Sequence, residues 1–114
     1  MRVLVCGSRD WTQSERIYAR LLQLPKGTAI IEGGARGADG YAGTFADDYG
    51  YPHIQVAANW EFYEKAAGMI RNSWMLDLQP DLVIAFHPNI ESSKGTKDTV
   101  TKARKLGIPV EIIQ

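Results

Sequence analysis

Short runs of apolar, largely β-branched residues recur along this 114-residue chain, and segments of helical periodicity separate them. That alternation constrains the fold more than any other feature. "RVLVCG" at Arg2–Gly7, "TAIIEGG" at Thr28–Gly34, "PHIQVA" at Pro52–Ala57, "PDLVIAFHP" at Pro80–Pro88 and "IPVEIIQ" at Ile108–Gln114 read as strands. Helices are expected over Ser14–Leu24, with Ile17, Leu21 and Leu24 on one face and Ser14 as N-cap, and over Gly37–Gly50, stopped by Gly50. Two more are expected over Ala58–Leu78, broken near Gly68, and over Gly95–Gly107. Strands buried on both faces and joined by helices form a parallel sheet in a doubly wound α/β fold. Right-handed crossovers, with Val3–Cys6 and Leu82–Phe86 central and adjacent, give five strands in the order 3-2-1-4-5. Residues 1–114 form one three-layer domain, large enough to fold without staples.

In such sheets a ligand binds beyond the carboxyl ends of the strands, at the point where strand order reverses. The loops expected there are "GSRDW", "GGARGAD", "AANW" and "HPNIESSKGTKD", which hold most of the polar and glycine-bearing residues. The opposite connections, "LPKG", "YGYP", "QP" and "LGIP", are plain turns. Function is therefore expected at one end of the sheet.

In the first loop Gly7 turns the chain, Ser8 offers a hydroxyl, Arg9 a planar fork for an anion and Trp11 a stacking face. The competing reading is a turn with a surface ion pair and a packed tryptophan. In the second loop Gly33, Gly34, Ala35 and Arg36 lead into a helix start at Gly37-Ala38-Asp39. Bare amides and the helix dipole there suit an anion, and Arg36 adds a full charge. Asp39 either caps the helix or accepts from a sugar hydroxyl. The spacing matches neither the dinucleotide fingerprint nor a P-loop, and close helix–strand packing would equally use these glycines. Arg71 and Asn72, set among apolar residues, form a candidate pair, whereas Lys65 reads as a solvated charge. Gly95 and Thr96 open the last helix beside the switch point, where Asp98 either carries chemistry or complements the dipole.

Thirteen basic and thirteen acidic residues cancel, which argues against gripping nucleic acid. One cysteine, Cys6, excludes an intrachain disulfide and reads as a buried small hydrophobe. His53 reads as structural and His87 as the better-placed histidine, but neither stands at metal-ligand spacing. No metal or cofactor is expected. With no signal-peptide pattern and no membrane-length apolar run, the chain reads as a cytoplasmic protein with no membrane partner.

Taken together, "VLVCGSRDW", "IEGGARGAD", "AANWEFYEKAAGMIRNSWML", "PDLVIAF" and "GTKDTVTKARKLGIPV" resemble the small single-domain members of the SLOG superfamily, in its YspA/YpsA-related branch. That group is named after the SMF/DprA and lonely-guy proteins. The resemblance implies a Rossmann-like sheet with a nucleotide-type ligand at the strand carboxyl ends. In the lonely-guy enzymes, which cleave the N-glycosidic bond of nucleoside 5′-monophosphates, the site joins an arginine to a P-G-G-x-G-T-x-E loop. Arg71 stands where that arginine falls, and Gly95-Thr96-Lys97-Asp98 where G-T-x-E falls, which implies catalytic roles for Arg71 and Asp98. Two departures separate this chain from that pattern: "NIESSK" replaces the paired glycines, and Asp98 is one methylene shorter than glutamate. The expected partner is thus a small phosphorylated nucleotide-like ligand, mononucleotide or ADP-ribose-like, bound rather than cleaved. The alternatives are a nucleoside-monophosphate hydrolase and a module that binds protein or single-stranded DNA. A homodimer is expected through the apolar surplus of the helix Phe62–Leu78, as related enzymes are commonly dimers.

Overall fold

The computed structural model describes residues 1–114. Five parallel strands form one sheet: β1 (Arg2–Gly7), β2 (Ala29–Glu32), β3 (His53–Gln55), β4 (Leu82–Phe86) and β5 (Val110–Ile113), in the order β3-β2-β1-β4-β5. This is the expected architecture. Alternate residues of β1 feed two separate cores. Val3 and Val5 face α1 (Ser14–Leu21) and α2 (Ala38–Tyr49), where they meet Ile17, Leu21, Ala42 and Phe45. Leu4 and Cys6 face α4 (Ala67–Asp77) and α5 (Gly95–Lys105), where they meet Met75, Leu76, Val100 and Ala103. A sheet clothed on both sides in this way must be apolar throughout its centre, and β1 and β4 each bury four consecutive residues.

The helix boundaries differ from the sequence expectation in two places. Ser14 is the first residue of α1 rather than its cap: Gln13 precedes the helix, and no side chain caps it. The segment Trp60–Asp77 breaks at Glu64, not at Gly68. A single-turn helix α3 (Trp60–Tyr63) ends where Glu64 takes a φ of 51°, a 3₁₀ turn follows over Glu64–Ala66, and α4 runs straight through Gly68. The apolar surplus of this segment lies on the surface, with Phe62 75% exposed and Met69 and Trp74 half-exposed.

Two glycines fix how the first two strand-end loops meet α2. A Cβ on Gly7 would fall 2.2 Å from the Phe86 carbonyl oxygen, so β1 can pass β4 and α2 this closely only without a side chain. Gly37 has a φ of 75°, and a Cβ there would fall 2.3 Å from the Ser8 oxygen and 2.6 Å from that of Arg9. Gly50, with a φ of 73°, ends α2 in open space. A Gly50→Ala substitution should therefore cost about 1 kcal/mol, from backbone strain alone. Gly37→Ala adds a backbone clash and should cost at least about 2 kcal/mol more. Urea unfolding of both variants checks this, and equal losses would contradict the packing role of Gly37.

Candidate functional site

The loops that leave β1, β2, β3 and β4 at their carboxyl ends enclose a cleft with two lobes. One, of about 390 Å³, opens at the β1/β4 switch point and is lined by Ser8, Arg9, Asp39, Asn72, His87 and Thr96 among others. The second, of about 370 Å³, lies over the ends of β2 and β3 and is lined by Gly33, Gly34, Arg36, Gln55 and Trp60. Arg9, Ala35 and Arg71 line both.

The first loop is a tight turn. Ser8 N–H donates to the Phe86 carbonyl (2.9 Å), the Ser8 carbonyl accepts from Trp11 (3.3 Å) and Ala38 (3.1 Å), and its hydroxyl accepts from Asp10 N–H (3.1 Å). Arg9 is left exposed, with no ion pair or hydrogen bond to its guanidinium. Trp11 does not present a free stacking face. It is buried edge-on against Phe86 at 5.6 Å, its Nε1 donates to the Gln13 carbonyl at 2.9 Å, and the Arg16 guanidinium lies 5.1 Å from its ring centre. The core and Arg16 have taken the surface that the sequence offered to a ligand.

The glycine loop also departs from expectation, because its first amides are not bare. Asp39 Oδ2 accepts from Gly33 N–H (3.1 Å) and Ala35 N–H (3.4 Å), and Glu32 Oε1 accepts from Gly34 N–H (2.5 Å). Asp39 thus ties the loop preceding the helix, and Gly37, the residue before α2, carries no side-chain cap. Arg71 donates to the Gly33 carbonyl and, through Nε, to Asn72 Oδ1 at 3.1 Å. A Cβ on Gly33 would sit 2.5 Å from Arg71 Nη1, so this glycine makes room for the arginine. Asn72 in turn donates to the Gly95 carbonyl (3.2 Å) and to Asp98 Oδ2 (3.1 Å). The pair expected on α4 therefore staples the second loop to the start of α5.

Asp98 lines neither lobe; it pairs with Lys102 at 3.0 Å and with Asn72. Gly7, Ser8, Arg9, Asn72, Gly95 and Thr96 do line the first lobe, joined by Asp39. Arg36 is 76% exposed and reaches only Asp10, at 3.4 Å. Gly37 stands outside both lobes, beneath the first loop.

Sequence reasoning missed Glu32, a fully buried carboxylate at the end of β2. Besides Gly34 it accepts from His53 Nε2 (2.7 Å) and Gln55 Nε2 (3.0 Å), while His53 Nδ1 meets Asp47 at 3.0 Å. Gly43 in α2 gives this pair its space, since a Cβ there would fall 2.9 Å from the imidazole. The one sequence signal was a charged residue ending an otherwise apolar strand immediately before paired glycines. Ser93 and Lys94 of the last loop also line the first lobe. The described residues hold no cluster of three or more His, Cys, Asp or Glu side chains able to bind a metal, and no helix is long and apolar enough to cross a membrane.

Burial sets the ionisation of the site. The Asp39 carboxyl is pushed up to about 6, against the pull of Arg71 and two backbone amides and with further help from Glu32. Burial likewise raises the Cys6 thiol, which leaves it protonated and inert. His53 rises above its ordinary value because it donates to Glu32, with Asp47 adding to the effect and burial opposing it. Both shifts favour the protonated form in the folded state, so both stabilise at low pH and lose that contribution as pH rises. For Asp39 the window runs from 3.8 to about 6, and the loss is on the order of 3 kcal/mol. For His53 it lies above 6.5. Relative to Asp39→Asn, the wild-type protein should lose stability from pH 4 to pH 6 in urea unfolding. Parallel curves for the two proteins would contradict the assignment.

Comparison with known proteins agrees with this architecture. The model of the "YspA, cpYpsA-related SLOG family" matches residues 1–63. The gene 61 protein of Mycobacterium phage D29 is 35% identical over 118 residues, covering 96% of this chain and 93% of that protein. The DNA processing protein A (DprA) of Streptococcus pneumoniae has the same fold, with a TM-score of 0.80 at 21% identity over 99% of this chain. This chain spans only 50% of the DprA chain. The family model covers more than half of the chain and the phage relative nearly all of it: the chain belongs to the YspA, cpYpsA-related SLOG family.

Proposed function

We propose that this chain binds a nucleotide or nucleotide-derived anion, a mononucleotide or an ADP-ribose-like species, across the two-lobed cleft. The observation that carries the reading is Arg9. It is an exposed cation with no protein partner, and like the buried Arg71 it lines both lobes. A planar fork left unpaired at a strand-end switch point is suited to a phosphate or pyrophosphate. The hydroxyls of Ser8 and Thr96 and the start of α5 add donors in the first lobe. Family membership supports the same class of ligand.

Cleavage of the glycosidic bond has less support. An oxocarbenium-like state needs a carboxylate facing the ribose. Asp98, the one the resemblance implies, is engaged by Lys102 and Asn72 outside the cleft. Of the two in the first lobe, Asp39 is held by the Gly33 and Ala35 amides and Asp10 faces Arg36. The likeness to DprA is one of fold, and thirteen basic residues balanced by thirteen acidic ones leave no net positive charge to draw a polynucleotide.

Calorimetry with ADP-ribose, whose pyrophosphate stays ionised through neutral pH, tests the proposal. Binding is expected, and Arg9→Ala should weaken it tenfold or more, since a charge-assisted contact contributes about 1.5–3 kcal/mol. Arg36→Ala, which removes an exposed side chain already facing Asp10, should change it less than about threefold. AMP incubated with the protein should be recovered intact. The absence of any bound phosphorylated ligand, or full affinity in Arg9→Ala, would overturn the reading.

A further inference from the structure

The two lobes differ in chemistry, and that difference gives a bound nucleotide a direction. The first lobe carries Asp10 and Asp39, the hydroxyls of Ser8, Ser93 and Thr96, and no Phe, Tyr or Trp. The second carries no carboxylate and one large aromatic side chain, Trp60, beside the small residues Ala57 and Ala58. Trp60 is 52% exposed, unlike the buried Trp11, and takes part in none of the aromatic pairs of the molecule. Its position is held from two sides. Asn59 Oδ1 accepts from Phe62 N–H at 3.1 Å and so caps the turn that begins with Trp60. The indole Cη2 lies 3.5 Å from where a Cβ on Gly68 would stand, which seats the ring against the start of α4.

Gln55 provides the polar group of the same lobe. Its Nε2 donates to Glu32, a carboxylate that can only accept, which fixes the orientation of the amide. Oε1 is left without a protein donor. Gly34 lies directly beneath: a Cβ there would fall 3.2 Å from the Gln55 Cδ.

We propose that the second lobe is a nucleobase slot, in which the base stacks on Trp60 and an exocyclic amino group donates to Gln55 Oε1, while the sugar phosphate extends past Arg9 into the first lobe. This rests on the nucleotide-binding reading above and specifies it: the base must be amino-bearing, and the aromatic wall is a residue outside the phosphate site. Stacking on an aromatic side chain is tolerant of base identity, so the selectivity comes from Gln55.

The full chain titrated with AMP, IMP and ribose 5-phosphate tests the slot. Wild-type protein should bind AMP at least about fivefold more tightly than ribose 5-phosphate, the advantage stacking confers, and more tightly than IMP. Trp60→Ala should remove the advantage of AMP while leaving ribose 5-phosphate unchanged, and Trp60→Phe should restore most of it. Because Trp60 is half-exposed, these variants should keep the wild-type circular dichroism spectrum. An undiminished preference for AMP in Trp60→Ala would overturn the slot and leave the nucleotide reading standing, and equal affinity for AMP and IMP would overturn the role of Gln55. Failure of all three probes and of ADP-ribose to bind the wild-type protein would overturn the nucleotide reading itself.

Discussion

Two carboxylates, Glu32 and Asp39, lie buried under the glycine loop, and the carboxyl end of the sheet is arranged around satisfying them. Burying an ionised carboxylate costs several kcal/mol unless its lone pairs are met. Here the donors are the amides of Gly33, Gly34 and Ala35, with His53 and Gln55 from the neighbouring strand. Arg71 completes the arrangement by holding the Gly33 carbonyl, and through Asn72 it reaches the start of α5. One connected set of hydrogen bonds thus fixes the loop after β2, the strand β3 and the helices α4 and α5 relative to one another. Removing either carboxylate would leave buried donors unpaired, which costs more than the bonds themselves contribute.

This arrangement changes what the glycines are for. In many strand-end loops such residues expose amides to a phosphate. In this chain Gly33 gives room to Arg71, Gly43 to His53 and Gly37 to the carbonyls of Ser8 and Arg9. The positive charge available to a ligand comes from side chains, chiefly Arg9, in a cleft whose two lobes meet at that residue.

Much of this was legible in the sequence. The alternation of apolar runs with helical periods sufficed for five parallel strands and their order, because a sheet buried on both faces leaves an unmistakable apolar signature. The polarity of the loops located the cleft, and Arg71 with Asn72 stood out as a polar pair set among apolar residues of α4. The partners of Glu32 were not legible: His53 and Gln55 lie 21 and 23 residues further along and meet it only through the parallel register of β2 and β3. Trp11 misled because an indole near a strand end serves a core as readily as a ligand. The break at Glu64 was hidden for a related reason, since a positive φ at a non-glycine residue leaves no mark on composition.

Amide hydrogen exchange in the ligand-free protein reads out whether the glycine loop is locked from within. If Glu32 and Asp39 hold it, the amides of Gly33, Gly34 and Ala35 should exchange slowly with no ligand present, although they lie in a loop at the rim of a cleft. The neighbouring amide of Arg9, on an exposed turn, should exchange fast. Rapid exchange at all three loop amides, slowed only when a phosphorylated ligand is added, would mean that they are bare anion donors and that Glu32 and Asp39 do not lock the loop.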